Sequence, residues 1–392
     1  MSWWSKLLEA EAGAVRHNEG VRSRHVLASL ALIAATACSS LGSFGNAPSV
    51  TSPVALVVWP ARNLPTPIVR SLRSLEGVES LKRIGTSTLA ITKVRGATRA
   101  LPIKQPGDIV PVSVMAMDPE AAAEETSFAD AAKALARGEA VISEIEARLR
   151  GLSVGDVFRL DSPTGRSAWF KVGSIVGTGS VWGDEFVIPL SAGQRLGIRG
   201  NRAVVLRVAA EKAQAAAKRI SSMLAGIRAR IRLANAPENG SSPLLSTAEM
   251  KSTFGEFTFR RVNGYFFRID PTWVDRNIVQ TRLPVLGLVA CHRLMLPQLT
   301  SAMQELAAKG LSSLVRSVDG CWSPRMQFGN RSALSRHAFG AAIDLNYSNN
   351  QYGEIPHQDT RLVEIMERWG FVWGGRWMIP DGMHFEFVRF AP

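Results

Sequence analysis

The sequence predicts an α+β protein in three parts: an N-terminal membrane segment, a middle α+β domain and a C-terminal α+β domain with a small antiparallel sheet. Three observations carry this reading. The 392 residues exceed one ordinary domain. From Val26 to Ala61 there is not one charged side chain. Beyond that, short apolar strand patterns mix with helical ones on both sides of "ANAPENGSSP" (234–243), whose Pro, Gly, Asn and Ser content reads as a linker.

The first part is residues 1–25, followed by the apolar stretch 26–45, "VLASLALIAATACSSLGSFG", which approaches the length of one membrane helix. Arg16, Arg22 and Arg24 precede it, so the positive-inside rule keeps residues 1–25 cytoplasmic and puts the rest outside the membrane. The expected localisation is therefore the cell membrane, single-pass, with extracytoplasmic C-terminal domains. Small residues after the apolar core leave a cleaved signal peptide open, and "ATAC" ending at Cys38 leaves lipidation open. The hydrophobic share of 46% and the charged share of 20% fit a globular chain. A net charge of +13 favours polyanions such as nucleic acid, anionic lipid or acidic wall polymers. No basic run is interleaved with aromatics and the arginines are dispersed, so nucleic acid is not an expected partner.

In the second part, 46–233, "VALVVWP" (54–60) and "TSTLAITKV" (86–94) read as strands. Residues 128–152 read as two helical stretches around Gly138, and "DVFRLD", "AWFKVGSIV" and "RAVVLRVA" read as further strands before an amphipathic helix over 209–227. The part contains no His and no Cys, hence no metal or thiol cluster. Its stretch "GEAVISEIEARLRGLSVGDVFRLDSPTGRSAWFKVGSIV", with the Val154-Gly155-Asp156 turn, resembles the extracytoplasmic core domain of bacterial ABC-exporter permeases. That resemblance implies a binding or spacer module outside the membrane, without a nucleotide site, and a membrane-protein partner.

The third part, 244–392, begins near "EFTFRRVNGYFFRID", has a helix over 296–310 and ends in short strands. Cys291 and Cys321 both follow the apolar stretch, where oxidation is allowed, and a bond closing a loop of about 30 residues stabilises by about 3 kcal/mol. His337 and Asp344 form H-x6-D, and "PDGMHFEF" supplies Asp381 and His384 as D-x2-H. One histidine at the start of an apolar strand is more often structural; the combined spacing points to a metal. Three protein ligands with one open position suit hydrolytic zinc, so Zn2+ is the expected cofactor. Strand alternation in "AAIDLN" puts Ala342, Asp344 and Asn346 on one face, and in "HFEF" it puts His384 and Glu386 together while Phe385 and Phe387 anchor the other. Gly340 permits a close approach or an unusual dihedral on the way from His337. Asp381, in a "PDG" turn, is the candidate general base, accepting a proton from zinc-activated water and passing it to the leaving amine. Glu386 is expected to fix a ligand or bind the substrate amine. His292, beside Cys291, reads as structural and His357 as solvated.

"SRHAFGAAIDLN", "WGGRW" (373–377) and "DGMHFEF" together resemble the zinc D-alanyl-D-alanine carboxypeptidase family, which includes D,D-dipeptidases and L-alanyl-D-glutamate endopeptidases, over roughly 285–390. The resemblance implies a metallopeptidase acting on peptidoglycan peptides, with zinc on His337, Asp344 and His384 and Asp381 as the base. It also implies an arginine that holds a substrate carboxylate or polarises the scissile carbonyl. Arg325 in "GCWSPR" is the first choice and Arg331 the second, although the family's usual Gly-Tyr-Arg context is Gly320-Cys321-Trp322 here. Trp377 is a candidate for lining the substrate site. The competing reading is a non-catalytic, zinc-containing wall-binding module; Asp381 argues against it, since a structural site tends to be closed by a fourth ligand. Whether the bond cut is the terminal D,D bond or an L,D bond inside the stem is open in the sequence.

Overall fold

Runs of Val, Ile, Leu and Ala build the first sheet of the computed structural model, which describes residues 53–124, 129–177, 183–233 and 244–391. Its strands are β1 (Val54–Pro60), β2 (Val78–Arg95), β3 (Val110–Met117), β4 (Ala140–Ser143), β5 (Val157–Asp161), β6 (Ser167–Val176), β7 (Phe186–Pro189), β8 (Ala203–Val208) and β9 (Ala229–Leu233). They lie in the order β3-β7-β4-β6-β5-β2-β8-β1-β9. The 18-residue β2 pairs with β3, β5 and β8 along its length, so β2, β3, β7, β4, β6 and β5 close into a ring, which leaves those six strands without a free edge. Inward-facing residues of all six strands, with Phe158, Phe170 and Phe186 among them, form the core of that ring.

The expected strands at 54–60 and 86–94 are present, the second as part of the longer β2. The two helical stretches expected around Gly138 are present, with a strand between them that the reading does not include. Ala129–Ala136 is a helix, but Ala140–Ser143 is the buried strand β4, and a helix resumes only at Glu144–Arg150. Ser143 ends the strand and caps that helix, its Oγ accepting from the Glu146 amide at 3.1 Å. The apolar stretch 26–45, Cys38 and the linker 234–243 lie outside the described residues. Among the described residues no helix is long and apolar enough to cross a membrane.

The C-terminal segment adds β10 (Phe259–Arg261), β11 (Phe267–Ile269), β12 (Ile278–Leu283), β13 (Gly287–His292), β14 (Val318–Gly320), β15 (Met326–Gln327), β16 (Asn330–Leu334), β17 (Ala342–Leu345), β18 (Phe371–Trp373) and β19 (His384–Phe387). β14-β17-β19-β18 form an antiparallel sheet, and β10–β11, β12–β13 and β15–β16 are hairpins. Behind the sheet, helices Leu296–Ala308 and Thr360–Arg368 bury Leu299, Met303, Leu362 and Met366 against Ile343, Phe385 and Phe387.

The two segments do not fold away from each other: residues from 52 onward make one compact unit. Ile109 and Phe259 exchange a pair of backbone hydrogen bonds at 2.9 Å, and Thr88 Oγ1 donates to Ser332 O at 2.8 Å. Between them lies a buried cluster of charge. Lys251, on helix Thr247–Phe254, reaches Glu185 Oε1 at 2.6 Å and Glu256 Oε1 at 3.3 Å, and donates to Pro111 O. Arg150 binds Glu146 Oε1 at 2.7 Å and both oxygens of Glu256. Three carboxylates thus face two cations in a largely buried site, with Glu256 at its partly exposed edge.

Candidate metal centre

In β17 and β19 the alternation of the sequence becomes cross-strand geometry. Asp344 lies directly opposite His384, and Ala342 opposite Glu386. Phe385 and Phe387 point into the core, as the pattern requires, and leave His384 and Glu386 on the other face. The strand ends one residue earlier than the alternation implies. Asn346 takes a left-handed conformation at φ 60°, and its side chain accepts from the Arg316 and Ser317 amides, so it braces a loop rather than sharing the Asp344 face.

His337 comes from a short 3-10 turn, Arg336–Phe339, whose first amides are capped by Ser335. Gly340 then turns the chain into β17 at φ 65°, and a Cβ there would stand 2.8 Å from the His292 amide nitrogen. No other residue type fits without moving β13. On the far side of His337, its Nδ1 donates to Cys321 O at 2.7 Å. Cys321 is held by a disulfide to Cys291, which ties the end of β14 to β13.

Two imidazole nitrogens and both oxygens of one carboxylate converge. His337 Nε2 and His384 Nδ1 are 3.1 Å apart, His384 Nδ1 is 3.0 Å from Asp344 Oδ1, and His337 Nε2 is 3.1 Å from Asp344 Oδ2. All three side chains are buried, and they are the one His, Cys, Asp or Glu group among the described residues with metal-holding geometry. A tetrahedral zinc with bonds of about 2.0–2.1 Å has ligand-to-ligand edges of about 3.3 Å, so the donor set fits the ion with little adjustment. The far nitrogens fit as well. Nδ1–H of His337 is taken by Cys321 O, and Nε2–H of His384 by Glu386 Oε2 at 3.0 Å. In both rings the lone pair is left facing the centre, the arrangement by which outer partners orient metal ligands.

The electrostatics are those of a cation site. Burial opposes ionisation of Asp344, but the two imidazoles hold its carboxyl well below the usual range. Burial lowers His337. For His384 burial is outweighed by its hydrogen bonds to Asp344 and Glu386, and the ring is pushed up to about 10. The carboxylates of Asp344 and Glu386 thus place His384 in a negative field that favours a cation at the centre.

Asp381 sits in the turn before β19, with its amide bonded to Gly374 O at 3.0 Å. "WGGRW" holds that turn: Trp373 Nε1 donates to Gly382 O at 2.7 Å, and a Cβ on Gly374 would meet Asp381 O at 2.8 Å. Asp381 Oδ1 is buried with no hydrogen-bond partner among the described residues, and burial pushes the carboxyl up to about 6. A cleft of about 260 Å3 opens over it, lined by His337, His384, Glu386, Trp377 and Arg325 among others. The Trp377 ring lies 5.2 Å from that of His384. Arg325 Nη2 is 3.6 Å from Asp344 Oδ2 while Nη1 donates to Tyr265 Oη at 3.2 Å, so its guanidinium borders the metal position.

Arg331 is corrected. It is exposed, stands 5.9 Å over the Tyr265 ring and does not line the cleft. Arg336 takes a place there instead, with Nε 3.6 Å from Glu386 Oε1; its signal in the sequence is adjacency to His337 in "SRH". His292 is buried and structural: Nε2 donates to Phe254 O and Nδ1 accepts from the Leu294 amide, and burial lowers the ring to about 4. His357 is exposed.

Residues 329–387 match the family model for D-alanyl-D-alanine carboxypeptidase. That span holds His337, Asp344, Asp381, His384 and Glu386, and it places a peptidase-family match on the segment that builds the centre. No curated relative matches the chain. Among solved structures, the periplasmic region of MacB from Actinobacillus actinomycetemcomitans is 10% identical with a TM-score of 0.30, covering 46% of this chain and 88% of its own. The extracellular domain of the noncanonic ABC-type transporter YknZ from Gram-positive bacteria is 11% identical with a TM-score of 0.27, covering 47% of this chain and 100% of its own.

Proposed function

We propose that the protein is a zinc peptidase that hydrolyses stem peptides of peptidoglycan, held outside the membrane by residues 26–45. One observation carries the reading: a buried His337–Asp344–His384 donor triangle together with Asp381, whose buried Oδ1 has no hydrogen-bond partner among the described residues, within the family-matched span. Zinc bound there would supply Lewis acidity, lowering the pKa of a water to about 7 and polarising the scissile carbonyl. Asp381 accepts the proton of the attacking water and delivers it to the leaving amine. Its burial keeps the carboxyl basic enough for the first step and acidic enough for the second. Arg325 borders the same position and supplies positive charge to the carbonyl oxygen as it gains charge. Trp377 offers an apolar wall for the peptide.

The test is mass spectrometry of purified muropeptides incubated with the zinc-loaded protein and with Asp381→Ala. Loss of terminal alanine identifies a D,D-carboxypeptidase, and a cut between the first two stem residues an L,D-endopeptidase. Intact muropeptides with the zinc-loaded protein reject the reading in favour of a non-catalytic wall-binding module.

A further inference from the structure

The cleft over Asp381 is not built by the C-terminal segment alone. Ala61 and Arg202, from the middle segment, line it together with the residues of the metal centre. We infer that Arg202 is a substrate-binding residue, taking a peptide carboxylate that lies outside the scissile bond, so that the peptide site is completed by both segments. This rests on the peptidase reading above.

Arg202 differs from the other cations where the segments meet. Arg150 and Lys251 are paired with Glu146, Glu185 and Glu256, Lys104 with Asp270 at 2.7 Å, and Arg260 with Asp108 at 2.8 Å. Among the described residues no carboxylate comes within 4.0 Å of the Arg202 guanidinium. Its Nη1 donates to Pro60 O and its Cζ stands 5.1 Å over the Trp59 ring. The head is therefore fixed in place and half-buried, with its remaining N–H groups available to a ligand. An arginine stays charged at any working pH, and a half-buried guanidinium held in this way is suited to a bidentate carboxylate contact. The acids inside the cleft do not consume this charge. Of the two that line it, Glu386 is engaged by His384 and Arg336, and Asp381 forms no ion pair with Arg202 among the described residues; Asp344, which does not line it, is engaged by His384, His337 and Arg325. Asp184, which feels the field of Arg202, does not line the cleft.

The rim repeats the pattern. Arg228 Nη1 donates to Met378 O at 3.4 Å, and the charge of Arg62 acts on Tyr352; Met378 and Tyr352 both line the cleft. One arginine of the middle segment thus lines the cleft and two more stand near residues of its wall, and a peptide with several carboxylates is the ligand class that such a field attracts.

The test uses the full zinc-loaded chain and three synthetic pentapeptide stems: Ala-γ-D-Glu-Lys-D-Ala-D-Ala, its D-glutamyl α-amide and its C-terminal amide. Dissociation constants are measured by calorimetry in an Asp381→Asn background, and hydrolysis in the unsubstituted protein. With Arg202 present, one of the two amides is expected to bind about tenfold more weakly than the acid, the usual cost of losing a charged hydrogen-bond pair. Arg202→Gln is expected to weaken the acid by the same factor and to erase that preference; Arg202→Lys, which keeps the charge, gives an intermediate and carries the test if the glutamine variant does not fold. Acid-over-amide preferences that persist at both positions in the variants overturn the inference, as does faster hydrolysis on loss of Arg202, which would make the middle segment a screen over the cleft. Preferential binding that depends on Arg202 without any hydrolysis sinks the peptidase reading and leaves the inference standing. Hydrolysis indifferent to residue 202 does the reverse.

Discussion

Glu386 Oε2 accepts the Nε2 proton of His384 at 3.0 Å, and this bond turns Nδ1 of the ring toward His337 and Asp344. Two positions along one strand set both the ligand and the group that orients it. Replacing Glu386 by Ala frees the ring to rotate and to exchange tautomers. The expected result is zinc binding weakened by about 10–100-fold, read by competition with a chromophoric chelator. Unchanged zinc affinity would mean that the backbone alone orients His384.

Asp381 is separable from metal binding, because its side chain does not belong to the donor triangle. Asp381→Asn preserves the size of the group and removes its basicity. Zinc stoichiometry by atomic absorption is expected to stay the same while kcat on stem peptides falls by about 10²–10⁴-fold. A variant that keeps both zinc and turnover assigns the proton transfer elsewhere.

The disulfide acts on the centre through the backbone, since Cys321 supplies the carbonyl that fixes His337 Nδ1. The double variant Cys291→Ala, Cys321→Ala is expected to lose about 3 kcal/mol of stability in urea unfolding. It should also bind zinc more weakly, because the His337 ring loses a rigid anchor. Full stability loss with unaltered zinc affinity would confine the bond to a structural role.

The donor set was legible because its spacing is local to two strands and a turn: H-x6-D and D-x2-H each sit within one β-strand and the loop entering it, where period-two alternation assigns faces directly. The strand β4 was not, since "EAVISEIEARL" is as good a helical pattern as a strand one and only pairing with β6 and β7 decides it. Arg331 is the second choice for the arginine that the family resemblance implies, but on the β15–β16 hairpin its side chain is exposed. Nothing in the sequence joined Arg202 to the cleft, because that neighbourhood exists only once the two segments dock. The buried charge between the segments was hidden for the same reason: each of Glu146, Arg150, Glu185, Lys251 and Glu256 reads as an ordinary surface residue until its partner is in place.

That buried cluster predicts an alkaline weakness. Three carboxylates share two cations, and the surplus falls on Glu146, whose Oε2 has no hydrogen-bond partner among the described residues. Burial pushes this carboxyl up to about 8, against 4.5 for an ordinary glutamate. The folded protein thus holds a proton that the unfolded chain releases. Its contribution to stability is complete below about pH 4.5 and is lost as pH rises through about 8, with a slope of up to about 1.4 kcal/mol per pH unit between the two values. Asp184, raised by burial to about 7, adds to the same trend. Glu146→Gln keeps an acceptor for Arg150 Nε and removes the titrating group, leaving two carboxylates with two cations. Thermal unfolding followed by circular dichroism between pH 6 and pH 9 is expected to show a melting temperature that falls with pH in the unsubstituted protein and falls less in the variant. Parallel slopes for the two proteins would show that Glu146 stays ionised at the interface and that Arg150 alone neutralises it.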